Sequence, residues 1–264
     1  MRKQLSQPSF QNGFARSMGE SIRPDLWPDH AWIPALGVQG GTLFDVAGKR
    51  FNGTVTAGED WIEDHLSFDT GSAGVSLGVS SISILPNSVW SIVTKFRLDI
   101  GSSGDRYIYD DTAGGGIGLR ALNTNDVLAF WISGGTTRTI SVATVLTLGK
   151  WSVLAFVHDG TTATLYLDGL PIGTNTYSGV IGNSGQVFRI GAEYNSNNEL
   201  DGDIYSHAMY KNICLTPAQI RDLSADPLLP FRRKTFVSFY VPSSTPAAFK
   251  AFWYRNKNTL LGAG

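Results

Sequence analysis

A chain of 264 residues that is 42% hydrophobic and 16% charged can bury a large core, and its formal net charge of -1 gives no global attraction to nucleic acid or to an anionic membrane. The single cysteine, Cys214, excludes an internal disulfide and a cysteine-built metal site, and no apolar run reaches the roughly 18 to 20 residues of a membrane span. The 30 glycines, with so little charge, favour a turn-rich β protein.

Residues 1–29 read as an N-terminal arm, rich in Ser, Gln, Asn and Gly and without periodicity. The opening MRKQLSQPSFQNGF lacks the apolar stretch of a secretory signal, which predicts synthesis in a cytoplasm. Phe10, Phe14 and Trp27 in this arm call for a surface to dock on.

Residues 30–225 alternate short strands with Gly- or Asn-rich turns. HLSFD (65–69) is a short strand, and VWSIVTKFRLDI (89–100) a long amphipathic one. In the latter, Trp90, Ile92, Phe96, Leu98 and Ile100 share one face, and Ser91, Lys95, Arg97 and Asp99 the other. RYIYD (106–110), GIGLRAL (116–122), VLAFWIS (127–133) and RTISVA (138–143) continue the series. WSVLAFVH (151–158) is apolar on both faces, as a strand buried between two layers would be. Asp159-Gly160 then signals a tight turn, ATLYLDG (163–169) alternates, and a second Asp-Gly ends it. VFRIGA (187–192) and GDIYSHAMY (202–210) complete the strands. This pattern predicts a core of Trp90, Phe96, Phe130, Trp151, Val153, Leu165 and Leu167 between two sheets.

One short helix follows, over about 217–224. Thr216 is its N-cap, Pro217 its first residue and Gln219 the partner in a capping box. Residues 226–264 form a C-terminal extension, in which prolines flank Arg232-Arg233-Lys234 and an aromatic run carries Phe236, Phe239, Phe252, Trp253 and Tyr254. With Phe10, Phe14 and Trp27, these are the expected assembly residues, since buried aromatics anchor permanent interfaces.

WSVLAFV (151–157), LYLDG (165–169), FRIGA (188–192), DGDIYSHAMY (201–210) and LTPAQIRDL (215–223) together resemble a laminin G-like, concanavalin A-like lectin/glucanase domain. The resemblance covers about residues 30–234 and implies an all-β, jelly-roll antiparallel sandwich. PALGVQGGTLFDVAGKRFNGTV (34–55) and DPLLPFRRK (226–234) further resemble the tailed-bacteriophage branch, whose opening carries a D-x-S-G-x-x-N-G-T pattern; Ala47 stands here at the Ser position. That branch implies a structural virion protein of a capsid, neck or tail. Its partners would be other virion proteins and further copies of itself.

The same fold hosts lectins, glycosidases and structural modules. Hydrolysis needs two converging carboxylates. Laminarinase-type relatives carry E-x-D-x-x-E on one strand, whereas Glu59, Asp60 and Glu63 have a spacing that sends Glu59 and Asp60 to opposite faces. His158-Asp159 reads as a turn, and no G-x-S-x-G elbow supports a catalytic serine. The expectation is a non-enzyme without cofactor or metal. His30, His65 and His207 lack ligand spacing, and Asp105, Asp110 and Asp111 suit a plain turn better than a calcium rim. Arg232-Arg233-Lys234 suits protein contact better than nucleic acid. The candidate ligand site combines Tyr107, Tyr109 and Tyr194 as an aromatic platform with Asp110, Asp111 and Asn195 as polar partners, for a host-surface glycan.

Overall fold

The computed structural model describes residues 14–48, 50–55, 59–62, 64–68, 74–99, 104–122, 126–133, 135–143, 145–195 and 198–234. Residues Met1–Arg233 form one compact unit and Lys234–Gly264 a second. Phe10, Glu63, Ile100, Phe236, Phe239, Phe252, Trp253 and Tyr254 lie outside the described residues.

In chain order the strands are β1 (His30–Trp32), β2 (Val38–Gln39), β3 (Thr42–Leu43), β4 (Gly53–Val55), β5 (Glu59–Ile62), β6 (His65–Phe68), β7 (Val75–Ser76), β8 (Val89–Leu98) and β9 (Arg106–Asp110). They continue with β10 (Gly116–Ala121), β11 (Val127–Ser133), β12 (Thr136–Val142), β13 (Trp151–Asp159), β14 (Thr162–Leu167), β15 (Leu170–Thr176), β16 (Arg189–Ile190) and β17 (Gly202–Lys211). The helices are α1 (Ser81–Ile84) and α2 (Pro217–Ala225). One antiparallel sheet runs β15-β14-β13-β8-β17-β6-β5, with β1 also on β17; the other runs β12-β11-β10-β9-β16-β7-β4-β3-β2. The expected all-β antiparallel sandwich is what the chain forms.

The main core lies between the sheets. Trp90, Ile92, Phe96 and Leu98 of β8, Leu154 and Phe156 of β13 and Leu165 of β14 meet Tyr109, Ile117, Leu119 and Trp131 of the facing sheet. His207 is enclosed with them. It is pushed down to about 3 by burial, and its Nδ1 lies 2.8 Å from Thr94 Oγ1. The double-faced pattern of β13 has a concrete cause. Val153, Ala155 and Val157 point away from the core, beside Val93 and Tyr210 of the same sheet, and are roofed by Ile220 and Leu223 of α2 with Leu26. The roof sits where the sequence places it: Thr216 Oγ1 accepts from Gln219 N at 3.3 Å, and Gln219 Oε1 accepts from Thr216 N at 2.9 Å.

Trp151 departs from the expected register. It shares the outward face of β13 with Val153 but lies beyond α2, so it is half-exposed rather than core. Leu167 is also only partly buried. Trp90, Phe96 and Leu165 are buried between the sheets as expected, whereas Val153 and Phe130 are buried on outer faces, Val153 beneath the roof and Phe130 against Tyr107.

The Asp-Gly signals fold as tight turns. Asp168 and Gly169 both take positive φ, 49° and 85°, the combination that a type I′ hairpin requires. Asp159 Oδ1 accepts from the N–H groups of Thr161 and Thr162 at 2.8 and 2.7 Å and fixes the other turn.

The stretch 45–54, D-x-A-G-x-x-x-N-G-T, is a structural knot. The buried Asp45 Oδ1 accepts from the amides of Ala31 (3.0 Å), Ala47 (3.3 Å) and Gly48 (2.9 Å), while Oδ2 meets the Arg50 amide (3.2 Å) and His30 Nδ1 (2.6 Å). Asn52 Oδ1 accepts from Asp45 N at 3.1 Å. The knot uses the main-chain N–H of residue 47, so alanine serves there as well as serine.

The described part of the arm docks on its own chain. Ala15 N donates to Phe231 O at 2.6 Å and Ile22 N to Arg232 O at 3.0 Å, with bridges Phe14↔Arg232 and Ser21↔Arg233. Trp27 packs on Phe231 at 5.0 Å between centroids, and Phe14 packs against the same cluster. Phe14 and Trp27, expected to face a partner, thus pack on their own chain and stay half-buried. Residues 231–233 offer an unpaired backbone edge and an apolar floor beside the arm, and the arm takes both.

Candidate functional site

Among the described residues, the outer face of the β5–β15 sheet is covered at one end and bare at the other. α2 and Leu26 roof it as far as Val93, Val153 and Tyr210. Beyond them the register sets Lys95 against Val153 and Ser206, and Arg97 against Trp151 and Asp203. A β-bulge in β17 makes Tyr205 the extra residue between Ile204, opposite Phe96, and Ser206, opposite Lys95. Bulges re-aim side chains, and this one sets Tyr205 beside Lys95 on the outer face.

The result is an aromatic pair framed by charge. The Trp151 and Tyr205 rings are edge to face at 5.9 Å. His65 lies edge-on to Trp151 at 5.4 Å. Lys95 Nζ stands 4.4 Å from the Tyr205 ring and 5.7 Å from the Trp151 ring, and the Arg97 guanidinium is 5.3 Å from the latter. Beneath them Asp203, 1% exposed, pairs with Arg97 and lies 3.5 Å from His65 Nε2. Arg97 also reaches Asp99 at 3.6 Å, and His65 Nδ1 reaches Asp64 at 2.9 Å. Burial, then the Asp64 and Asp226 carboxylates, push the Tyr205 hydroxyl above its usual range, so it remains a donor. Half-exposed rings with fixed polar neighbours suit the apolar face and hydroxyls of a sugar.

Of the residues expected to bind ligand, Tyr107, Tyr109, Asp110 and Asp111 are buried. Tyr109 is 1% exposed and stacks on Phe188 at 5.6 Å. Tyr107 is buried against Phe130, and its hydroxyl accepts from Arg120 at 3.0 Å. Asp110 accepts from Thr112 N (3.2 Å), Thr112 Oγ1 (2.7 Å) and Tyr194 N (3.0 Å). Asp111 accepts from Ser81 N (2.6 Å), Ser81 Oγ (3.0 Å), Ile117 N (2.9 Å) and Ser184 Oγ (3.2 Å), pinning α1 to β10. Tyr194 is half-buried and Asn195 exposed. The pairing of β9 with β10 slips at Ile108, so Tyr109 enters the core while Tyr107 packs outward on Phe130, and the two aspartates satisfy buried donors and anchor loops.

Asp105 turns away to pair with Arg120 at 2.8 Å. Among the described residues no group of three or more His, Cys, Asp and Glu side chains could hold a metal ion. The side chain of Glu59, like the whole of Glu63, lies outside the described residues. His158 is buried, with its ring nitrogens on the carbonyls of Ser88 and Tyr177.

Burial pushes the Asp110 carboxyl up to about 7, against the pull of its donors and with help from the Asp111 charge. A raised folded value favours the protonated fold. That stabilisation is complete below the unfolded value of about 4 and is lost as pH rises through about 7. Denaturation midpoints between about pH 4 and pH 8 should therefore fall more steeply for the wild type than for Asp110→Asn. Equal slopes would show that Asp110 is ionised throughout.

No curated protein sequence matches the chain. Among solved structures, Trypanosoma rangeli sialidase aligns with a TM-score of 0.58 at 16% identity, over 76% of this chain and 33% of the sialidase. The chain thus spans about a third of that protein's length. The Ruminococcus gnavus IT-sialidase CBM40 bound to alpha2,3 sialyllactose aligns with a TM-score of 0.52 at 13% identity, over 61% of this chain and 96% of that one. At such identities the likeness is one of fold. The family model described as the concanavalin A-like lectin/glucanases superfamily matches residues 69–221, more than half of the chain, and the chain belongs to that family.

Proposed function

We propose that the chain is a non-enzymatic, lectin-like module that binds a glycan on the bare end of its outer sheet face. The observation that carries this reading is the half-exposed Trp151–Tyr205 pair, held rigid by neighbouring strands and ringed by Lys95, Arg97 and His65. The Ruminococcus gnavus neighbour, a sialidase CBM40 bound to a sialylated sugar, supports a binding role for this fold. Binding without hydrolysis is supported by the state of the carboxylates at the patch. Asp203 is spent on Arg97 and His65, and Asp64 on His65.

The setting we propose is a tailed-phage virion, where the module would be a structural component on a capsid, neck or tail. Other virion proteins and further copies of the chain would be its partners. The phage-like stretches 34–55 and 226–234 support this. So does the clasp of residues 14–22 with 231–233, which sets both ends of the described chain side by side. Arg232 and Arg233 meet Asp226 at 2.5 Å and Glu20 at 4.0 Å, which fits contact with protein better than with nucleic acid.

A printed glycan array tests the binding reading. Wild type should bind a restricted set of glycans without releasing reducing sugar, and Trp151→Ala should lose the signal. Turnover, or full binding by Trp151→Ala, would overturn it. Immunogold labelling of virions tests the setting, and unlabelled particles would count against it.

A further inference from the structure

Lys95 and Arg97 lie two residues apart on β8, on one face of the sheet. Their surroundings differ. Arg97 already has its counter-ion, because Asp203 meets its guanidinium from the buried side and Asp99 lies 3.6 Å away. Lys95 pairs with no carboxylate among the described residues. Its ammonium meets two aromatic rings, and ring faces attract a cation without supplying the lone pairs that its three N–H donors need. The stem rises from a central strand flanked by β13 and β17, so the charge is placed.

We propose that the patch selects acidic glycans. An anionic substituent, carboxylate or sulfate, takes the Lys95 ammonium, and a sugar ring stacks on Trp151 or Tyr205. Arg97 does not compete for that anion, because Asp203 holds it as the floor of the site. This inference rests on the glycan-binding reading above and adds the ligand's charge and the residue that reads it.

The test uses an array carrying sialylated, uronic-acid and sulfated oligosaccharides beside their neutral parents. Calorimetric titration then compares the strongest acidic glycan with its methyl ester or desulfated form, which separates carboxylate from sulfate. The neutral form should bind at least about tenfold more weakly, as expected for loss of a charge-assisted contact. Lys95→Met should weaken the acidic glycan by a similar factor and erase its advantage over the neutral form, Lys95→Arg should retain most of the affinity, and added salt should weaken the wild type. Melting curves of Lys95→Met matching the wild type would exclude misfolding. If neutral and acidic forms bind alike and Lys95→Met changes neither, while Trp151→Ala abolishes both, the charge selection is wrong and the glycan site stands. If no glycan binds, the site itself is wrong and the charge selection falls with it.

Discussion

Trp90→Ala should destabilise the protein by about 3 to 5 kcal/mol, whereas Trp151→Ala should cost no more than about 1 to 2 kcal/mol. The two indoles lie on neighbouring paired strands and look alike in the sequence, but they point to opposite sides of one sheet. Trp90 is 1% exposed and fills the inter-sheet core against Phe156 at 5.0 Å, so its removal leaves a cavity that rigid neighbours cannot close. Trp151 is half-exposed and touches His65, Tyr205 and Arg97, all on the outer face. Urea denaturation of both variants measures the difference. Equal large losses would place Trp151 in the core and remove the aromatic pair from the surface.

Asp45→Ala should cost about as much as the core tryptophan, near 3 to 5 kcal/mol, because it leaves four main-chain donors and His30 without their acceptor in a buried turn. Its effect should also depend on pH. Burial opposes ionisation of Asp45, yet His30 and the amides of Ala31 and Arg50 outweigh burial and hold the carboxyl below its usual range. A depressed folded value means that the stabilisation is present above the unfolded value of about 4 and is lost as pH falls through the folded one. Wild type should therefore lose stability in acid more steeply than Asp45→Asn, which keeps the shape of the side chain but not the charge. Matching acid slopes would mean that the amide network binds a neutral side chain equally well.

The fold was legible because strand signals and turn chemistry agreed. The phase of β8, the two Asp-Gly turns around β14 and the capping box of α2 each predicted one element, and the elements fit one another. The site was less so. Tyr107 and Tyr109 attracted attention as tyrosines beside aspartates, but only the sheet pairing shows that their faces are occupied and that Asp110 and Asp111 tie down loops. Trp151 was assigned to the core because WSVLAFVH is apolar on both faces, and nothing local says that α2 ends its cover at Val153. One signal for the patch was available: Ile204 and Met209 both point inward although five residues apart, which a regular strand forbids and a bulge permits. The arm misled for a different reason. Phe14 and Trp27 did need an apolar surface, and residues 231–233 of the same chain offer one.

The most direct test of the outer-face site is an NMR titration that follows the indole N–H resonances of the seven tryptophans as the strongest glycan from the array is added. The account predicts a concentration-dependent shift of the Trp151 indole together with backbone amides around Lys95 and Tyr205, while the buried indoles of Trp32, Trp90 and Trp131 stay in place. Shifts centred on Tyr194 and Asn195, with Trp151 unmoved, would contradict it.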